Sequence, residues 1–178
     1  DSIVDGTVLH MANSSVVRYM QLFDPLYAIT YQSNRGVSGI DGSTSTALGY
    51  SLMNDKVNVM LTGDISFFYD SNALWNKYLH PKFKIILINN GGGGIFRFIQ
   101  GPSSTNILHD FFESSHNTTA DKLCETFGVK YYQASNTDSL EQNIQDFLLF
   151  DESAALLEIK TPSDLNPEVL QNYFKSLQ

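Results

Sequence analysis

Cysteine is almost absent: the single Cys124 among 178 residues excludes an internal disulfide and any multi-cysteine metal centre. Its neighbours Leu123 and Phe127 follow an apolar helical pattern, so it reads as a small core residue. Basic residues are also scarce. Eleven Lys and Arg stand against nineteen Asp and Glu, for a formal net charge of −8. No basic stripe interrupts that balance, which argues against a nucleic-acid or anionic-membrane surface. Long apolar runs are missing too; stretches such as Ile85 to Ile88 are strand-sized and far too short to span a bilayer. The opening Asp1-Ser2-Ile3-Val4-Asp5 lacks the basic start and long apolar stretch of a signal peptide, so a reducing, cytoplasmic setting is expected. The four histidines, His10, His80, His109 and His116, show no metal-ligand spacing and read as surface or loop residues.

What is present describes one compact α/β domain. Hydrophobic residues make up 42% and charged residues 17%, the balance of a globular chain with one full-sized core. Five strands are predicted: Tyr27 to Tyr31, Val57 to Leu61, Lys84 to Ile88, Val129 to Tyr132, and Ala154 to Ile159. The second and third are nearly continuous Val/Ile/Leu/Met runs, as expected of strands covered on both faces. Helical patterns lie between them, over Ser14 to Phe23, Thr44 to Met53, Phe67 to Leu79, Thr118 to Phe127, and Asp138 to Phe150. A last helix is predicted over Pro167 to Leu177, with proline in its first turn. This alternation predicts a doubly wound, largely parallel sheet with helices on both faces. The polar stretch Gln100 to Asn117, interrupted by Gly101-Pro102, reads as a loop over a site.

In an open parallel sheet, ligands bind at the carboxyl ends of the strands, and three unusual clusters stand there. The first is Gly63-Asp64-Ile65-Ser66, between an apolar strand and a helix. Asp64 either caps that helix or offers a carboxylate to a cation, beside backbone N–H groups aimed at an anion. The second is Asn89-Asn90 followed by Gly91 to Gly94. Four glycines allow close backbone approach, which a phosphate-wrapping turn requires and a flexible loop also permits. It is not a dinucleotide fingerprint, since Phe96 stands where glycine or alanine would, and no Gly-Lys-Ser/Thr ending makes it a P-loop. Asp64 and Asn90 lie 26 positions apart, the length of one helix and one strand, which sets both at the same sheet edge. A carboxylate, an amide oxygen and a backbone carbonyl suit Mg²⁺, a hard cation that completes its octahedron with phosphate oxygens and water. The third cluster, from Tyr31 to Gly42, places Arg35 in a Gly/Ser-rich turn, where its planar fork suits a carboxylate.

Gly63-Asp64 and Asn89-Asn90, one helix and one strand apart, resemble the thiamine-diphosphate signature, Gly-Asp-Gly followed at a distance by Asn-Asn. Ile65 departs from its third glycine. The run Ser33-Asn34-Arg35-Gly36-Val37-Ser38-Gly39-Ile40-Asp41-Gly42 is similar to one subfamily of these enzymes, the 2-succinyl-5-enolpyruvyl-6-hydroxy-3-cyclohexene-1-carboxylate synthases of menaquinone biosynthesis. That subfamily carries a Gly-Asp-hydrophobic-Ser variant, with which Ile65 agrees. Asn13 to Arg18, Tyr69 to Leu74, and Ile95-Phe96 resemble it as well, so the likeness is dense from about Asn13 to Phe96.

The resemblance implies the thiamine-diphosphate-binding fold, with thiamine diphosphate and Mg²⁺ (or Mn²⁺) as cofactors. Asp64, Asn90 and the Gly92 carbonyl would ligate the metal. Ile65, Ser66 and the backbone around Gly92, Gly93 and Ile95 would hold the phosphates and the thiazolium end. Ser38, Gly39 and Ile40 would meet the aminopyrimidine, with Ile40 wedging the cofactor into a bent shape, while Ile95 and Phe96 line the pocket above the thiazolium. Ser14, Arg18 and Arg35 would reach substrate carboxylates. The implied reaction decarboxylates 2-oxoglutarate and adds a succinyl carbanion equivalent to isochorismate. The activating glutamate would come from a separate pyrimidine-binding domain, on another subunit of a homo-oligomer. Residues 1–178 are then one domain, the last of three, and no residue here is assigned as general acid or base. Two other readings stay open: a different thiamine-diphosphate enzyme, such as a 2-oxo acid decarboxylase or an acetolactate-synthase-like protein, and a non-catalytic anion-binding α/β module.

Overall fold

In the computed structural model, residues 3–97 and 101–176 are described. Six parallel strands form one sheet in the order β2-β1-β3-β4-β6-β5. They are β1 (Val8–Met11), β2 (Thr30–Ser33), β3 (Asn58–Gly63), β4 (Phe83–Asn89), β5 (Lys130–Ala134) and β6 (Ala155–Lys160). The helices are α1 (Ser15–Met20), α2 (Ser43–Ser51), α3 (Asp64–Tyr69), α4 (Asp121–Phe127), α5 (Thr137–Leu149) and α6 (Asn166–Ser176).

The apolar strands explain the layering. Along β4 and β6 successive side chains point to opposite faces. Ile85, Leu87 and Leu156 join Leu48 of α2, Phe67 of α3 and Cys124 of α4 in one core cluster. Ile86, Ala155 and Leu157 join Phe147 and Ile144 of α5 in the other. Both faces of β4 and β6 are therefore covered, as the continuous apolar run from Lys84 to Ile88 predicts for β4. No helix among the described residues is long and apolar enough to cross a membrane.

Four differences from the sequence reading have local causes. The predicted strands omit β1, whose alternation is broken by His10; that ring is buried and bonds Asn58 across the sheet at 3.0 Å. Its burial lowers the imidazole pKa, so His10 is a core residue rather than a surface one. The first predicted strand begins too early, since Tyr27 is 97% exposed and pairing starts at Thr30. The helix predicted over Phe67 to Leu79 begins at Asp64, ends at Tyr69, and passes into a 3₁₀ turn over Ser71–Leu74. The break falls at Asp70, whose carboxylate accepts from the Ser45 backbone N–H (2.7 Å) and hydroxyl (2.6 Å) at the start of α2. Within the polar segment predicted as loop, Leu108–Phe112 form a short π-helical turn, and Gln100 lies outside the described residues.

The strand order reverses between β1 and β3. From β1 the chain runs outward to β2, then returns past β1 to form β3 and β4. Such a reversal leaves a crevice at the carboxyl ends of the two strands. A second reversal, between β4 and β6, extends that crevice to Thr161.

Candidate cofactor site

A cavity of about 450 Å³ opens along the carboxyl ends of β1, β3, β4 and β6. Its lining brings together Ser14, Ile40, Asp64, Ile65, Ser66, Asn90, Gly92, Gly93 and Phe96, nine of the residues singled out in the sequence. Arg18, Arg35, Ser38, Gly39 and Ile95 stand outside it. Ile95 is buried behind the glycine turn, and Gly39 accepts a hydrogen bond from Asn13 through its carbonyl at 2.6 Å. Arg18 and Arg35 are exposed; their guanidinium groups donate to the Ser14 carbonyl and to Asn13 Oδ1, each at 2.6 Å.

A corner of converging oxygens is built by two turns. At the end of β3, Asp64 is 2% exposed and accepts N–H bonds from Ile65 (2.7 Å) and Gly92 (2.9 Å). Burial pushes its carboxyl above the ordinary range, against those bonds and the nearby His116, which pull it down. A carboxylate held so and raised is short of positive charge. At the end of β4, the Asn90 amide presents one terminal atom 3.2 Å from Asp64 Oδ2 and 2.7 Å from the Gly92 carbonyl. With nitrogen inward, that atom donates to both. With oxygen inward, three oxygens face one another and only a cation relieves them. Octahedral Mg²⁺, with ligands about 2.0–2.1 Å away, sets neighbouring oxygens about 2.9 Å apart, so the spacing fits.

The glycine turn needs its glycines. Gly91 has φ 76°, and a Cβ on Gly92 would come within 2.7 Å of the Glu113 carbonyl. The segment from Glu113 to His116 lies along this turn: the Glu113 carbonyl accepts from Gly93 N, and His116 N donates to Gly91 O at 3.0 Å. Arg97 clasps that segment, pairing with buried Glu113 and, at 2.6 Å, with Asp164. The Glu113 pKa falls: burial raises it, and the bonds from Arg97 and His109 outweigh that.

The cofactor-facing loop is tethered rather than free. Ser66, proposed from sequence for the phosphates, donates its hydroxyl to the Ile40 carbonyl at 2.7 Å and so fixes the Ile40 backbone. Ser14 and Ser38 both hold positive φ, 65° and 59°, a strain that recurs at functional turns.

Sequence reasoning missed several participants. Asn13, buried at 2%, donates to the Asn34 and Gly39 carbonyls and joins the end of β1 to the 34–40 loop. His116 Nδ1 accepts from Thr118 N at 3.1 Å, and its Nε2 stands 3.4 Å from Asp64 Oδ2. His80 and His109 also have partners, the Ser51 hydroxyl and Glu113, each at 2.8 Å. Asn13 follows a strand the sequence did not reveal, and His116 comes from a segment with no periodic signal. Thr161, Asn166 and Val169 close the far wall.

The sheet, the switch-point crevice and the paired turns define a diphosphate-binding α/β domain. Residues 11–159 match the family described as thiamine pyrophosphate enzyme, C-terminal TPP binding domain, and the chain belongs to that family. More narrowly, it is similar to curated 2-succinyl-5-enolpyruvyl-6-hydroxy-3-cyclohexene-1-carboxylate synthases, as its 33–42 segment indicates. The Flavobacterium johnsoniae enzyme is 46% identical over 99% of this chain, and that of Christiangramia forsetii 43% over 99%. The chain spans about a third of those relatives, 32% and 30% of their lengths. Benzoylformate decarboxylase from Polynucleobacter necessarius shares the fold, with a TM-score of 0.72 and 16% identity over 92% of this chain and 31% of its own.

Proposed function

We propose that this chain is the Mg²⁺- and diphosphate-binding domain of a thiamine-diphosphate-dependent synthase that decarboxylates 2-oxoglutarate and transfers the succinyl unit to isochorismate in menaquinone biosynthesis. The observation that carries the reading is the oxygen corner of Asp64, Asn90 and Gly92 at one end of a mainly apolar cavity. When bound, thiamine diphosphate supplies an electron sink for the carbanion that decarboxylation leaves.

The chain's residues bind and orient. Asp64, Asn90 and the Gly92 carbonyl would hold the metal, Mg²⁺ or Mn²⁺, beside the diphosphate. Ile40, fixed by Ser66, would support the cofactor, while Phe96 and the wall from α6 would exclude water from the reacting end. Arg18, Arg35 and Ser14 take substrate carboxylates at the mouth. The activating glutamate belongs to a pyrimidine-binding domain outside these residues, on another subunit of a homo-oligomer. The synthase names of the relatives and the Arg35-centred segment favour this substrate pair over another 2-oxo acid.

Calorimetric titration with thiamine diphosphate tests the reading. Binding with Mg²⁺ present and little binding with chelator is expected. Equal binding in both conditions, or none in either, counts against it.

A further inference from the structure

Glu158 lies in the middle of β6, fully buried, and no ion pair reaches it among the described residues. Its carboxylate accepts three neutral donors: Asn89 Nδ2 at 2.6 Å, the Tyr131 hydroxyl at 2.7 Å and Ala120 N at 3.0 Å. Taking a carboxylate out of water without a cation is costly, and a neutral side chain of the same shape would be the cheaper choice for packing alone. Packing alone does not account for a carboxyl group with three donors in this place.

What it fixes is the polarity of Asn89. The Asn89 amide turns its NH₂ toward Glu158, whose Oε1 accepts it at 2.6 Å. That NH₂ also donates to the Thr118 carbonyl at 2.9 Å. The amide oxygen then faces the other way and accepts from Gly91 N at 3.0 Å. Gly91 opens the turn, at φ 76°, and the residues on either side of it, Asn90 and Gly92, carry two of the three oxygens of the metal corner.

We infer that Glu158 is a positioning residue for the metal and diphosphate turn, acting through Asn89 on Gly91. The two asparagines of the motif thereby divide the work: Asn90 faces the cation, and Asn89 is the lever that sets the turn. A glutamine at 158 can present a donor to Asn89 and let its amide rotate, which frees Gly91 N. The inference rests on the proposed function.

The test uses the full-length protein, with Mn²⁺ titrated by electron paramagnetic resonance, thiamine diphosphate by calorimetry, and thermal unfolding alongside. Glu158→Gln is expected to weaken Mn²⁺ binding about tenfold, the usual effect of losing an outer partner of a ligand set. Asn89→Ala should do the same, and the double variant should be no worse than the weaker-binding single, because both cut one path. Tyr131→Phe removes a bond to the same carboxylate without touching that path, so it should lower Tm and leave Mn²⁺ affinity unchanged. Unaltered affinity in Glu158→Gln overturns the inference. So do losses that multiply in the double variant, or a Tyr131→Phe loss that scales with Tm as the others do. Should Glu158→Gln fail to fold, Asn89→Ala with undiminished Mn²⁺ affinity decides against it equally. A wild-type protein that binds neither Mn²⁺ nor cofactor instead defeats the functional reading itself, which is a separate result.

Discussion

The two ends of the crevice are built differently. At the inner end, buried Asp64 and half-buried Asn90 and Gly92 are held by bonds that close within the chain, from Ile65, Gly92, Glu113 and the Asn89–Glu158 pair. Beyond the cavity lining, Arg18 and Arg35 are exposed and rest on single oxygens, of the Ser14 carbonyl and Asn13 Oδ1, both from residues that do line it. On the proposed reading, the first end lacks only an ion. Each guanidinium carries five N–H groups, and among the described residues each makes one hydrogen bond, which on the same reading leaves donors for an acidic molecule. Rigidity then lies on the side proposed for the cofactor, and adaptability on the side proposed for substrates.

The sharpest way to break this contrast is to ask the rigid end to work alone. The 178-residue chain should bind cofactor with Mg²⁺ yet release no measurable CO₂ from 2-oxoglutarate, because the glutamate assigned to another domain is missing. Any turnover by the purified chain refutes that division.

Asp64→Ala should come next in size. Loss of a metal ligand is expected to weaken Mg²⁺-dependent cofactor binding by about 100-fold, the upper end of what perturbing a ligand set produces, with the circular dichroism unchanged. The pH dependence has a definite sign. Because the folded carboxyl is raised, the native state holds more protons than the unfolded one between the ordinary value of 3.8 and the folded pKa. Asp64 therefore makes the metal-free protein less stable as pH rises through that window, and Asp64→Asn should flatten its share of the curve. A metal-free Tm that drops sharply in Asp64→Asn would show that the carboxylate is there for the fold.

At the mouth, Arg35→Lys should lower kcat/KM by about one to two powers of ten, since a charge-assisted bond contributes roughly 1.5–3 kcal/mol and lysine lacks the two-point fork. Cofactor affinity should hardly move. Lost cofactor binding with normal turnover at saturation would place Arg35 on the wrong ligand. The smallest effect is expected at His116. His116→Phe should weaken Mn²⁺ binding by about tenfold or less, and His116→Gln, which keeps a donor, by less still. Equal losses in both would mean that ring packing on Phe68, not the polar contact, is what matters.

The fold was legible because its strongest signals are periodic. The nearly continuous apolar runs Val57 to Leu61 and Lys84 to Ile88 marked the two central strands, β3 and β4. That Asp64, Asn90 and Gly92 would come together was legible because Asp64 and Asn90 stand at strand ends within a signature spacing. What stayed hidden has a common physical character: it depends on pairs distant in sequence. His10 with Asn58, Asp70 with Ser45 and Glu158 with Asn89 each put a polar residue where a pattern of apolar ones breaks, and nothing local says that a partner waits across the sheet. The mouth was legible only in outline, since the Ser33-to-Gly42 segment marks Arg35, while the joint that holds it, Asn13, follows a strand without an apolar pattern.

The Asn90 amide can meet the oxygen corner in two ways. Its oxygen and nitrogen are nearly equal in size, so a half-turn of one torsion exchanges an internal donor for a ligand without moving the backbone. If the corner takes a cation as proposed, filling it then needs only that half-turn and no refolding of residues 91–94. Hydrogen exchange at those amides should look alike with and without metal.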